Sequence, residues 1–187
     1  MNKIKLVAIC GKAGAGKDTF LRRLVEHSNS KYHEIVSCTT RPPREKEVDG
    51  INYYFLSNEE FAEKVLNGDM LEATVFNDWC YGTALSNLDA EKINIGVFNP
   101  TGIEIISQND KLDLLVFYIT ATDKNRLIRQ LNREENPDVE EILRRYTTDK
   151  NDFEELDFDY LLINNDYKED LLEKVDLVSR IIEDEFS

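Results

Sequence analysis

The stretch Val7-Ala-Ile-Cys-Gly-Lys-Ala-Gly-Ala-Gly-Lys-Asp-Thr19 decides the fold class. An apolar run ends at Cys10, glycines stand at 11, 14 and 16, Lys17 follows, and a helical pattern begins near Thr19. Strand, glycine-rich turn and helix in that order read as a phosphate-binding loop. Glycines let the backbone curl until successive N–H groups point inward, and the helix start adds its own unpaired N–H groups. Lys17 adds a mobile positive charge for the outer phosphates of a nucleoside triphosphate. A bare strand-to-helix turn has no need of a Gly-Lys pair at this spacing. The expected ATP cradle is therefore Gly11, Lys12, Ala13, Gly14, Ala15, Gly16, Lys17, Asp18 and Thr19. One letter departs from the motif: the position that ordinarily supplies a Ser or Thr hydroxyl to Mg²⁺ is Asp18.

Working outward, residues 3–10 form a buried strand, and the helix after the loop runs to about residue 27 with Phe20, Leu21, Leu24 and Val25 on one face. Residues 34–38 read as a second strand. Residues 39–52 form a polar loop whose Pro42-Pro43 cannot lie inside a helix. A strand-like piece covers 53–56, and Ser57 with Glu60 three residues on makes a capping box for a helix that Gly68 ends. Strands at 70–76 and 80–83 precede a helical stretch at 84–92. Beyond it, strands at 93–98, 112–119 and 160–163 alternate with helices at 101–108, 123–132, 140–156 and 167–183. That alternation predicts an α/β fold with a central parallel sheet and helices on both faces. The block 34–84 breaks the rhythm and reads as an insertion. The chain has no internal repeat.

The 187 residues fit one compact domain that buries about 70% of its unfolded surface. A net charge of −14 excludes a general nucleic-acid binder, whose footprint is a basic stripe. It does not exclude nucleotides, which a few clustered arginines can hold. The acidic run from Asp149 to Glu185 reads as solvated helix faces. Cys10, Cys38 and Cys80 are widely spaced with no metal-ligand pattern, so reduced, partly buried thiols are expected. His27 and His33 are isolated and poor catalytic candidates. No apolar run is long enough to span a membrane, and the N-terminus lacks a signal core, so the expected location is cytoplasmic with no membrane partner.

A second constellation lies at residues 37–53, Ser-Cys-Thr-Thr-Arg-Pro-Pro-Arg-Glu-Lys-Glu-Val-Asp-Gly-Ile-Asn-Tyr. Arg41 and Arg44, three apart around a stiff Pro-Pro, offer planar forks for bidentate phosphate binding. Glu72 follows on a strand and Tyr81-Gly82-Thr83 on the next. At this point the sequence resembles the guanylate kinase family, through Gly11–Thr19, Ser37–Arg44, Glu47-Val-Asp-Gly50, Tyr53, Phe55, Ser57–Phe61, Gly68, Glu72 and Tyr81-Gly82-Thr83, in order and nearly without gaps. The match is specific over about the first 85 residues and looser beyond. It implies a three-layer P-loop kinase with a core (1–33, 85–124 and 143–187), a monophosphate-binding insertion (34–84) and a short helical lid (125–142).

The resemblance also implies roles. Arg41, Arg44, Tyr53 and Tyr81 would hold the GMP phosphate; Ser37, Glu72 and Thr83 would read guanine, with Asn99 nearby. Guanine presents two adjacent donors, which one carboxylate accepts together, and adenine lacks the pair. In the family, two arginines four apart and one from the next helix close over the ATP phosphates. Arg129 and Arg133 have that spacing, and Arg144 or Arg145 supplies the third. With Lys17 and Arg41 these form the catalytic set. Arg126, three residues before Arg129 on the same helix, reads as a solvated position. Asn164, in Asn164-Asn165-Asp166, matches the segment near adenine.

The family usually carries Asp-x-Asp before a Gln-Gly turn, whereas this chain has Val97-Phe98-Asn99-Pro100-Thr101-Gly102. One carboxylate lost there and Asp18 gained at the loop would keep the charge of a Mg²⁺ site nearly constant, with Asp18 as the metal ligand. The Gly-Lys-Asp-Thr ending resembles some phage deoxynucleoside monophosphate kinases, which brings in dGMP as acceptor. Two alternatives stand beside an ATP:(d)GMP phosphotransferase: a deoxynucleoside monophosphate kinase of other or broader base choice, and a non-catalytic guanylate-kinase-like binding module. The sequence leaves monomer or dimer open.

Overall fold

The computed structural model describes residues 3–45, 47–76, 78–133, 135–165 and 168–187, without the side chains of 168–170. Its elements in order are β1 (Ile4–Cys10), α1 (Lys17–His27), β2 (Tyr32–Glu34), β3 (Cys38–Thr39), β4 (Tyr54–Phe55), α2 (Asn58–Leu66), β5 (Met70–Phe76), β6 (Trp79–Ala84), β7 (Ile93–Val97), α3 (Pro100–Ser107), β8 (Leu112–Thr120), α4 (Asp123–Leu131), α5 (Val139–Asp152), β9 (Tyr160–Ile163) and α6 (Lys168–Glu185).

β1 shows why the core has three layers. Every residue from Leu6 to Cys10 is fully buried, and successive side chains of a strand point to opposite faces. Val7 and Ile9 pack with Phe20 and Leu24 of α1 and with Val175, Val178 and Ile182 of α6. Leu6, Ala8 and Cys10 pack on the other face with Ile103 and Ile106 of α3. The sheet order is β2-β7-β1-β8-β9, with all pairs parallel. A strand buried on both faces reads as a continuous apolar run, as residues 6–10 do.

A second sheet, order β4-β3-β6-β5, comes entirely from the inserted block. Its β3–β6 and β5–β6 pairs are antiparallel, and it carries a small core of Cys38, Phe61 and Ala84. The capping box at α2 is present: the Ser57 hydroxyl accepts from Glu60 N–H, and the Glu60 carboxylate accepts from Ser57 N–H.

Two expected elements differ. The single strand at 34–38 is two strands in two sheets, because Ile35 donates its N–H to Ile95 of the first sheet while Cys38 pairs with Gly82 and Tyr54 of the second. Ser37 sits at the crossing. The helix at 84–92 is only a 3₁₀ turn at Leu85–Asn87. The cause is Asn94, which is fully buried: its amide accepts from Asp89 N–H and donates to the carbonyls of Lys5, Asp89 and Lys92. Those bonds hold residues 89–92 in a bend that leads into β7. The three thiols are free, Cys10 and Cys38 buried and Cys80 half-buried. Asp166 and Tyr167, where the sequence reading placed an adenine-side residue and the start of the last helix, lie outside the described residues.

Candidate active site

The carboxyl ends of four parallel strands converge, the usual place for a ligand crevice in an open α/β sheet. β1 runs into the phosphate loop, β7 into Asn99, β8 into Thr122 and β9 into Asn164.

The loop has the form its sequence predicts. Gly14 has φ +78°, a left-handed conformation, and a Cβ there would strike the Arg126 backbone. Ala15 N–H donates to Lys12 O, and the first helical bond runs from Phe20 N–H to Gly16 O. The N–H groups of Lys17, Asp18 and Thr19 therefore precede the helical ladder, and no side chain caps them. Lys17 folds back over the loop, its Nζ donating to Gly11 O at 2.7 Å and to Lys12 O at 3.4 Å. Burial pushes its pKa down, against the opposing charges of Asp18 and Asp149. Asp18 and Thr19 are exposed in the first turn of α1.

Two further residues brace the loop. Arg129 donates to the carbonyls of Gly14 and Ala15, both at 3.3 Å, and to Asn164 O at 2.9 Å. Asn164 is buried and donates its amide to Ala15 O at 2.8 Å.

The insertion contributes two clusters. In the first, Glu72 pairs with Thr83 and Thr74 with Tyr81 across the β5–β6 ladder, so all four share one face. Glu72 is 7% exposed, and burial pushes its carboxyl up to about 7. Thr83 is fully buried, its side chain and backbone both lower the Glu72 carboxyl against burial, and among the described residues its Oγ1 makes no hydrogen bond of full geometry. Asn99 joins this group from the end of β7: its Nδ2 donates to Thr74 Oγ1 at 3.0 Å, and its Oδ1 accepts from Gly102 N–H at 2.7 Å as the N-cap of α3. A Cβ on Gly102 would lie 3.4 Å from Glu72 Oε2.

In the second cluster, the Arg41 guanidinium lies 5.6 Å from the Tyr53 ring centroid and 5.8 Å from that of Phe55. Tyr53 meets Tyr81 edge-on at 6.1 Å. Glu47, which the sequence reading quoted without a role, organises this loop. It accepts from Arg41 Nη2 through both oxygens at 2.9 Å and from Arg44 N–H at 2.8 Å. Although burial opposes it, these donors hold the Glu47 carboxyl below its usual range. Burial, and after it the charge of Asp18, pushes the Tyr53 hydroxyl up. The Arg44 side chain is exposed, and Ser37 is half-buried at the sheet crossing.

Two of the C-terminal arginines depart from expectation. Arg126 is not solvated: it is 2% exposed, and Asp123, Asp149 and the Ala13 carbonyl surround its guanidinium. Asp149 correspondingly leaves the solvated acidic face to which it was assigned. Arg133 does not share a helix with Arg129, because α4 ends at Leu131, and it is exposed. Arg144 and Arg145 both bind Glu141, at 2.6 and 2.7 Å, which holds that carboxyl at about 2. Arg144 also lies 5.5 Å from the Phe76 ring of β5.

A phosphate loop at the end of a central parallel strand, arginine-bearing helices beside it and a polar-faced insertion opposite define a P-loop kinase of the nucleoside monophosphate kinase class. Comparison with known proteins narrows the class. The guanylate kinase family model matches residues 3–185. The guanylate kinase of Campylobacter jejuni strain RM1221 is 30% identical over 169 residues, covering 88% of this chain and 82% of that protein. The guanylate kinase of Chlamydia felis strain Fe/C-56 is 32% identical over 169 residues, covering 87% and 81%. The crystal structure of guanylate kinase from Anaplasma phagocytophilum matches with a TM-score of 0.72 at 21% identity, covering 99% of this chain and 87% of that one. The chain belongs to the guanylate kinase family.

Proposed function

We propose that this chain transfers the γ-phosphoryl group of ATP to GMP or dGMP, giving ADP and the guanosine or deoxyguanosine diphosphate. The observation that carries the reading is the buried pair on the insertion. Glu72 is a carboxylate in low-dielectric surroundings, and Thr83, fully buried beside it, offsets part of the burial cost of its charge. A carboxylate buried this deeply calls for donors that satisfy its charge. Guanine supplies two adjacent donors to the carboxylate and further groups to the hydroxyl and to Ser37.

Phosphoryl transfer asks the protein chiefly for alignment and charge neutralisation. Lys17 and the loop N–H groups bind the donor phosphates. Arg41, Arg44, Tyr53 and Tyr81 bind the acceptor phosphate; for this Arg41 exchanges part of its Glu47 contact for phosphate. Arg129 and Arg133, from a lid at 125–142, close over the triphosphate together with Arg144 or Arg145 of α5, which leaves Glu141 to do so. Closure excludes water and limits wasteful ATP hydrolysis.

Mg²⁺ fits this site in one position. Asp18 is an exposed hard-oxygen donor in the first turn of α1, and among the described residues it enters no ion pair. Among the described residues no group of three or more His, Cys, Asp or Glu side chains could hold an ion alone, so nucleotide oxygens would complete the coordination. When bound, the ion neutralises charge on the outer phosphates. Asn99 is committed to capping α3 and to Thr74, which leaves Asp18 as the local carboxylate. Asp18→Asn is expected to lower turnover about tenfold and raise the Mg²⁺ requirement; wild-type turnover and Mg²⁺ dependence would remove Asp18 from the metal site. A cytoplasmic location belongs to the same reading. Among the described residues no helix is long and apolar enough to cross a membrane.

The deciding experiment is a coupled assay with ATP and Mg²⁺ against GMP, dGMP, dTMP, dCMP and AMP. Turnover confined to the two guanine acceptors is expected. Preference for another base would refute the roles given to Ser37 and Glu72.

A further inference from the structure

The phosphate loop is gripped from outside by a charged network that the transfer chemistry does not itself use. Asp149 of α5 accepts from the Ala13 N–H at 2.6 Å, and the same oxygen accepts from Arg126 Nη2 at 3.1 Å. Arg126 of α4 donates from Nε to the Ala13 carbonyl at 2.9 Å and from Nη1 to Asp123 at 3.0 Å. The Tyr146 ring of α5 lies 5.4 Å from the guanidinium, and its hydroxyl donates to Asp123 at 2.7 Å. Both backbone polar groups of Ala13 are thus held by side chains from two different helices.

Three points separate this network from an ordinary packing contact. An apolar pair of similar volume would tie two helices together with no desolvation cost; a buried charged pair adds direction and a defined distance. Its target is a loop amide that lies apart from the N–H groups of residues 17–19 at the start of α1. Its anchor on α5 also has consequences for the lid. Glu141, Arg145 and Asp149 follow at four-residue spacing and share one helix face. Pinning Asp149 to Ala13 therefore places Arg145 one turn, about 6 Å, further along the same face.

We propose that Arg126 and Asp149 are positioning residues: a strut that fixes lid helix α5 against the phosphate loop and so sets the reach of Arg145 toward the donor phosphates. The proposal rests on the phosphoryl-transfer reading above. It concerns the ATP side of the reaction alone, since nothing in the network touches the insertion.

The test uses the full chain with Asp149→Asn, which keeps the shape, Asp149→Ala, and Arg126→Lys. Lys150→Ala, on the exposed side of α5, is the control. Steady-state kinetics, ATP calorimetry and thermal melting are measured on each. Asp149→Asn is expected to keep its melting temperature near wild type while kcat/KM for ATP falls about tenfold and KM for GMP stays within about twofold. The double variant with Arg126→Lys should be no worse than the poorer single, because the two residues act as one unit. Wild-type kinetics for Asp149→Asn overturn the strut, as do equal losses toward ATP and GMP that track a falling melting temperature. An inactive wild type would overturn the transfer reading instead. The strut then stands on calorimetry: ATP binding weakened about tenfold by Asp149→Asn supports it, and unchanged binding removes it.

Discussion

Glu72 should carry two pH dependences of opposite sign. Its carboxyl is raised from 4.5 to about 7 in the folded chain because burial penalises the charge. Between those values the folded state holds a proton that the unfolded state has released, so stability falls as pH rises through this window. Guanine binding needs the ionised carboxylate, so GMP affinity should rise over the same window. Glu72→Gln removes both effects. Unfolding of wild type and variant in urea from about pH 5.5 to about pH 7.5 should show the wild type losing more stability, by up to about 2 kcal/mol. Identical slopes would mean that Glu72 titrates normally. Glu72 and its neighbours were legible in the sequence because their spacing along two adjacent strands is local. Arg126 was not: its polar periodicity reads as surface, and the carboxylate that makes its burial tolerable lies 23 residues away on another helix.

At the scale of the element, β5 and β6 carry the acceptor face, and Gly82 keeps them close. A Cβ there would lie 2.5 Å from Glu72 O and 3.2 Å from Ala73 Cα, backbone that cannot yield without breaking the ladder. Gly82→Ala should cost about 2 kcal/mol or more and raise KM for GMP more than KM for ATP, because Glu72 and Thr83 flank it. A stable variant with unchanged GMP kinetics would show that the two strands can separate at no cost to the site. Ser57→Ala, which removes one half of a capping box remote from the chemistry, should cost about 1 kcal/mol and leave turnover intact. Capping at Ser57, the core face of α1 and the four-strand alternation were readable because they depend on neighbours within a turn or a strand. The helix expected at 84–92 failed for the converse reason. Its local pattern is helical, but the buried amide of Asn94 takes its backbone groups first.

For the whole molecule, α5 and the insertion already touch where Arg144 meets Phe76. Filling both nucleotide positions should draw them together. Small-angle scattering is expected to show a smaller radius of gyration with GMP and a non-hydrolysable ATP analogue than with either alone; an unchanged radius would argue against lid closure. The class of the molecule was decided by sequence alone. A glycine-rich loop, the spacing of Arg41, Arg44, Glu72 and Tyr81, and the alternation of apolar runs are local patterns, and local patterns set backbone geometry and ligand chemistry directly. Which charges are buried, which arginines are committed to Glu47 and Glu141, and which helix grips Ala13 were decided only by the tertiary fold. Those facts depend on desolvation and on partners far apart in the chain, and no spacing encodes either. Asp18 shows both sides: its place in the loop was read from thirteen letters, and the reach of its charge to Tyr53, far along the chain, depends on the fold.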